Sequence, residues 1–163
     1  MWFLDGLDDA GYHPDMVGLS FYPWWHGDLE GLSTTLAAVA HRFGRPVMVV
    51  ETAYPWTLGW ADATHNPVGM PSHLLDGFDA TSAGQARFLA EIIDRVRATP
   101  DGLGAGVVYW EPGWLPTGSS SWENLGLWDF EGEELPGLGV LGEQPMPEGD
   151  PARAFHQHAD DHR

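Results

Sequence analysis

Apolar positions along the chain fall into segments of two alternating kinds. Residues 15–20 contain Met16, Val17 and Leu19 and read as a short buried strand. In residues 28–43, Leu29, Leu32, Leu36, Val39 and Phe43 recur every three or four positions, which predicts a helix with one apolar face. Asp28 suits its N-cap, and Gly44 with Pro46 forms a stop signal. Residues 46–50 are continuously apolar and rich in β-branching, the pattern of a strand buried on both faces in a parallel sheet. Residues 52–80 lack periodicity and predict a long loop, which in a compact domain is more often functional than decorative. Ser82 and Gln85 match a capping box ahead of a second helix, whose apolar stripe is Phe88, Leu89, Ile92, Ile93 and Val96. Residues 105–110 predict a third buried strand. The N-terminal Trp2, Phe3, Leu4 and Leu7 have helical spacing. Residues 21–27 and 111–129 read as aromatic loops, and from about residue 130 the chain turns acidic and rich in Pro and Gly. Strand and helix alternate, so the fold class is α/β with βαβ crossovers and a parallel sheet.

Charge and composition narrow what such a sheet can serve. The chain has 163 residues, no cysteine, 24 Asp plus Glu and 7 Lys plus Arg, giving a formal net charge of −17. Such a surface repels nucleic acid and anionic membranes. No apolar run approaches the ~20 residues of a membrane helix, and the N-terminus lacks the basic and apolar regions of a signal peptide. Nine Trp, four Tyr and seven Phe, set against so few cations, point toward a carbohydrate or another neutral ligand. There is no phosphate loop, no zinc spacing and no nucleophile elbow, and His156, His158 and His162 read as solvated.

Each predicted strand ends in a cluster of aromatic and polar residues. Tyr22, Trp24, Trp25 and His26 follow the first, Glu51, Tyr54 and Trp56 the second, and Trp110, Glu111 and Trp114 the third. Ligand crevices of parallel sheets lie beyond the carboxyl ends of the strands, so the clusters are expected to converge. Glu51 stands where strand meets loop, with Arg42 and Arg45 at the opposite strand end. It reads either as a solvated loop residue or as a carboxylate for glycosidic bond cleavage. Trp24, Trp25 and Trp110 read as sugar platforms, whereas Trp2, Trp60 and Trp128 read as packing. The run 62–66 (Asp-Ala-Thr-His-Asn) is either a hard-cation site or a turn built from Asp and Asn.

Residues 15–27, 47–54 and 106–112, in that order, together with 121–129 (Ser-Trp-Glu-Asn-Leu-Gly-Leu-Trp-Asp), resemble glycoside hydrolase family 53, the endo-β-1,4-galactanases. The resemblance spans roughly residues 1 to 140. It implies an incomplete (β/α)8 TIM barrel covering strands six to eight within residues 1–141; residues 142–163 read from their own composition as a weakly ordered acidic tail. It implies that Glu51 is the catalytic nucleophile of a retaining enzyme, that Tyr22, Trp24, Trp25 and His26 line the cleft, and that Trp110 floors the subsite where the bond is cut. Bacterial members hold a calcium ion between the loops after strands seven and eight. Asp62, His65 and Asn66 correspond to one half of that site, and Ser121 with Glu123 to the other. The implied partner is β-1,4-galactan or its oligosaccharides, with no nucleic acid and no membrane, and the implied location is extracellular.

The resemblance also carries an expected deficit. Retaining glycosidases use two carboxylates about 5–5.5 Å apart. The family's acid/base Glu follows the fourth strand, before the stretch that this chain resembles. Glu111 and Glu123 match motif positions with other roles. The polypeptide alone is therefore expected to lack substantial galactanase activity. The alternatives are a non-catalytic galactan-binding fragment and a truncated, inactive gene product with an exposed strand edge at 16–20.

Overall fold

The computed structural model describes residues 2–142; the tail expected at 142–163 lies, beyond Gly142, outside the described residues. Helix α1 (Trp2–Asp9) leads into strand β1 (Val17–Ser20), the one-turn helix α2 (Pro23–His26) and helix α3 (Leu29–Phe43). Strand β2 (Val47–Thr52), helix α4 (Ser82–Arg97), strand β3 (Gly104–Tyr109) and helix α5 (Pro136–Gly142) follow. The three strands form one open parallel sheet in the order β1-β2-β3. Val17 pairs with Val47, and Val47 with Gly104, so all three C-terminal ends share one edge.

Local chemistry explains the α3 boundaries. Asp28 is extended and its side chain accepts from the Gly31 N–H at 2.8 Å. Gly44 closes the helix in the left-handed region at φ 58°, where a Cβ would be strained. The predicted stripe is the buried face: Leu29, Leu32, Leu36 and Val39 join Val47, Val49, Phe88 and Ile92 in one core cluster between helices and sheet. A second cluster lies nearer the strand ends and includes Tyr22, Ala53, Leu89, Tyr109, Leu125 and Leu127.

Four sequence expectations need correction. The α4 N-cap is Thr81, whose hydroxyl accepts from the Gly84 N–H at 2.9 Å; Ser82 is already the first helical residue. Gln85 is fully buried and reaches away from the helix end, so no capping box forms. The strands are covered on one face. Val47 and Val49 are fully buried, whereas Met48 and Val50 are half-buried and Val108 is 46% exposed. Both crossover helices lie on the same side, and nothing among the described residues covers the other. The aromatic segment 21–27 is a helical turn, because Pro23 at its start is already in helical φ. Finally, α5 was not apparent from its Gly-rich sequence; it packs on α4, and Leu138 and Leu141 join the second cluster.

Candidate active site at the strand ends

β2 carries Glu51 as its penultimate residue, beside Ser20 of β1, and the Glu51 carbonyl accepts from the Phe21 N–H at 2.8 Å. One residue further on, the chain turns into α2, which returns Tyr22 over Glu51. The Tyr22 hydroxyl donates to Glu51 Oε2 at 3.1 Å. Burial, then the hydrogen bond to Glu51 and its negative charge, push the Tyr22 phenol well above the ordinary phenol range. Tyr22 therefore remains a donor and the carboxylate an acceptor.

Aromatic rings frame this pair. Trp24 and Trp25 each lie 5.3 Å from the Tyr22 ring, and Trp122 meets it edge-on at 5.8 Å. His26 Nδ1 accepts from the Tyr22 N–H at 2.9 Å. That contact leaves Nε2 as the site for the ring proton in the neutral imidazole. Trp25 is 60% and Trp110 41% exposed, so both offer open faces. Trp24 is half-buried among Tyr22, Trp25 and Trp122. Of the tryptophans expected as packing, Trp128 is half-buried against the second cluster, but Trp2 and Trp60 are exposed at the surface. Trp110 is tied to the sheet by its N–H, which donates to the Thr52 carbonyl at 2.9 Å.

A polar hub supports the strand ends from below. Gln85 Nε2 faces the carbonyls of Tyr54 (2.9 Å) and Gly126 (2.8 Å) and the Tyr109 hydroxyl (3.2 Å). Tyr109 donates to the Leu125 carbonyl at 2.7 Å and accepts from the Tyr54 N–H at 3.1 Å. Burial drives its phenol up as well. From sequence, Gln85 reads as the second member of a capping box and Tyr109 as an ordinary strand residue.

The loops after β2 and β3 are joined to each other. Glu123 is buried, and its Oε1 accepts from Ala61 N (2.7 Å) and Asp62 N (3.4 Å). Asp62 returns the link, with Oδ2 accepting from Ser120 N at 2.8 Å and Oδ1 from Thr64 N at 2.6 Å. These N–H groups, Ser120 first, hold its carboxyl below the ordinary range. Several buried oxygens in this seam have no partner: Asn66 Oδ1, Glu123 Oε2, Ser120 Oγ and Asn124 Oδ1. They are hard donors. His65 is exposed and packs its ring edge-on near Trp60, and Ser121 is only half-buried, so the unpartnered hydroxyl belongs to its neighbour Ser120. Three consecutive serines gave no signal for which one points inward. Among the described residues, no three His, Cys, Asp or Glu side chains gather at one point.

Comparison with known proteins decides the family. The model of glycosyl hydrolase family 53 matches residues 1–141. The chain belongs to this family. The family 53 chain is 42% identical over 146 residues to a Niallia circulans protein described by its place in the bgaB 5′ region; the match covers 85% of this chain and 40% of that protein. It is 35% identical over 136 residues to an arabinogalactan endo-β-1,4-galactanase of Cellvibrio japonicus, covering 78% of this chain and 35% of that enzyme. The catalytic domain of an Ignisphaera aggregans family 53 protein superposes with a TM-score of 0.80 at 32% identity, over 85% of this chain and 41% of that one. The family 53 chain thus spans about two-fifths or less of the length of these relatives. Its open, three-stranded parallel sheet corresponds to part of the family's catalytic domain.

Proposed function

We propose that this chain is the nucleophile-bearing part of a retaining endo-β-1,4-galactanase that acts on galactan outside the cell. Its strands β1, β2 and β3 stand for strands six, seven and eight of a (β/α)8 barrel. The observation that carries this reading is the Glu51 carboxylate, held by the Tyr22 phenol at the C-terminal edge of the sheet beside the open faces of Trp25 and Trp110.

In this role Glu51 attacks the anomeric carbon of a galactosyl unit and forms a covalent glycosyl ester, which water then hydrolyses. Tyr22 orients the attacking oxygen through its hydrogen bond. Trp25 and Trp110 offer apolar faces to the sugar rings. His26, with Nδ1 occupied by the Tyr22 N–H, offers Nε2–H to a sugar hydroxyl. No residue of this chain is assigned as the acid that protonates the leaving oxygen. Glu123 is buried and engaged with the backbone of Ala61 and Asp62. Turnover of natural galactan by the chain alone is therefore expected to be negligible, and binding of galacto-oligosaccharides without hydrolysis, read by calorimetry, is the expected behaviour.

A substrate with an activated leaving group tests the assignment, because it needs no protonation. A 2-deoxy-2-fluoro galactoside bearing a dinitrophenolate leaving group should form an adduct on the Glu51 peptide by mass spectrometry. Glu51→Gln should abolish it. An adduct on another carboxylate would overturn the assignment.

The seam between the loops is read as a calcium site. Asn66, Ser120 and Glu123 would hold the ion through their unpartnered buried oxygens, with Asp62, His65 and Ser121 around them. The ion would supply charge that fixes one loop to the other. Calcium should raise the thermal midpoint, by about 2.7 kcal/mol of stability at a hundredfold excess over Kd, and Glu123→Gln should remove that response. A midpoint indifferent to calcium and to chelator would refute the site.

A further inference from the structure

We propose that Trp122 is a positioning residue for Glu51 and acts through Tyr22. The inference rests on Glu51 being the reacting carboxylate. Tyr22 is the only side chain that hydrogen-bonds the Glu51 carboxylate among the described residues, and the distance of 3.1 Å already lies at the long end for an O–H···O bond. A small rotation of the phenol breaks it.

What prevents that rotation can be read from the ring contacts. Trp24 and Trp25 lie 5.3 Å from the Tyr22 ring and His26 lies 6.1 Å away. All three belong to α2, which directly follows Tyr22, and they move with it. Trp122 is different. It meets Tyr22 edge-on at 5.8 Å with an interplanar angle of 86°, and Trp24 at 6.4 Å, from the loop after β3, a hundred residues away in sequence. Among the described residues, it is the one aromatic contact that holds Tyr22 against a separate part of the molecule.

The segment that presents Trp122 is itself anchored. Glu123 accepts the Ala61 and Asp62 N–H groups, and Asn124 Nδ2 donates to the carbonyls of Thr57 (3.0 Å) and Val68 (2.7 Å). The Trp122 carbonyl accepts from Leu125 N at 3.0 Å. The indole N–H of Trp122 is buried without a partner, so shape and ring geometry alone place the ring. The order of support therefore runs from the loop after β2, through Glu123 and Asn124, to Trp122, Tyr22 and Glu51.

The test is read on the intact chain without any turnover. Glutamate labelled with 13C at the side-chain carboxyl gives a resonance for Glu51, assigned by its loss in Glu51→Gln. Tyr22→Phe displaces this signal by removing the phenol hydrogen. Trp122→Leu, which keeps apolar bulk but no ring, should displace it in the same direction and at least half as far. Trp122→Phe, which keeps a ring edge, should give a smaller displacement. Signals at the wild-type position in both Trp122 variants would overturn the proposal. Should Trp122→Leu fail to fold, Trp122→Phe decides by the same criterion, since its smaller side chain fits the same space. A fluorosugar adduct found away from Glu51 would instead remove the catalytic meaning of the carboxylate while leaving these couplings as measured.

Discussion

Replacing Gln85 by Leu tests whether the buried hub holds the strand ends together. Three buried carbonyls meet there, those of Tyr54, Leu125 and Gly126. The two Nε2 hydrogens of Gln85 and the one hydroxyl hydrogen of Tyr109 satisfy them one each. Leu has similar bulk but no donor. Tyr109 can then donate to the Leu125 carbonyl at 2.7 Å or to the Tyr54 carbonyl at 3.2 Å, but not to both. Two buried acceptors are left unpaired whichever it chooses. Each costs about 1–3 kcal/mol, and the extra apolar burial of Leu returns about 1 kcal/mol. The net loss is therefore about 1–5 kcal/mol, a sizeable share of a stability of roughly 5–15 kcal/mol. Urea unfolding followed by circular dichroism should show a lower midpoint at unchanged slope. The double variant Gln85→Leu/Tyr109→Phe should be non-additive, because both residues serve the same carbonyls. A Gln85→Leu protein within about 0.5 kcal/mol of the wild type would refute the donor count.

Further outcomes follow from the same contacts. Thr81→Ala should cost about 1 kcal/mol, whereas Ser82→Ala should stay within about 0.5 kcal/mol, since only Thr81 caps α4; chemical denaturation of both variants checks this. Gly104→Ala should destabilise by about 1–3 kcal/mol or prevent folding, because a Cβ there would lie 1.7 Å from the Val96 carbonyl oxygen. Gly6→Ala in α1 meets open space and should gain about 0.5–1 kcal/mol, measured by the same chemical denaturation. Tyr109 and Tyr54 have phenols raised chiefly by burial. The folded state therefore binds their protons more tightly than the unfolded state. That contribution is complete below the ordinary value of 10.0 and is lost as pH climbs from there toward the folded value. Phenolate absorbance should show the buried phenols of Tyr54 and Tyr109 ionising only as circular dichroism is lost. Ionisation of these two phenols in a folded chain would contradict this.

Some of the site is legible in the sequence alone. An apolar run that ends in a carboxylate places Glu51 at a strand end, and three strands ending in aromatics imply one shared edge. The reading failed where neighbouring residues were equivalent by local rules. Thr81 and Ser82 are both good caps, and Gln85 suits a box with Ser82; burial of Gln85 against Gly126, 41 residues away, breaks the tie. Ser120 and Ser121 differ by one position, and the backbone link from Ser120 to Asp62 turns Ser120 inward. Whether a tryptophan is exposed depends on what lies opposite it, so Trp24 is enclosed by Trp122 while Trp60 stays at the surface.

The amino-acid sequence by itself determined what short-range physics controls. Those features are the alternation of strand and helix, the apolar face of α3, its Asp28 and Gly44 caps, and an acidic, aromatic surface suited to neutral ligands. Each depends on residues within a turn or two of one another. Tertiary structure alone decided which side chains meet across the sheet edge: Tyr22 on Glu51, Glu123 under Ala61, Trp122 against Tyr22, Gln85 between two loops. Partners 29 to 62 residues apart, and a ring contact that spans more, come together only because parallel β1, β2 and β3 deliver their following loops to one end. No local pattern encodes that convergence; the register of the strands does.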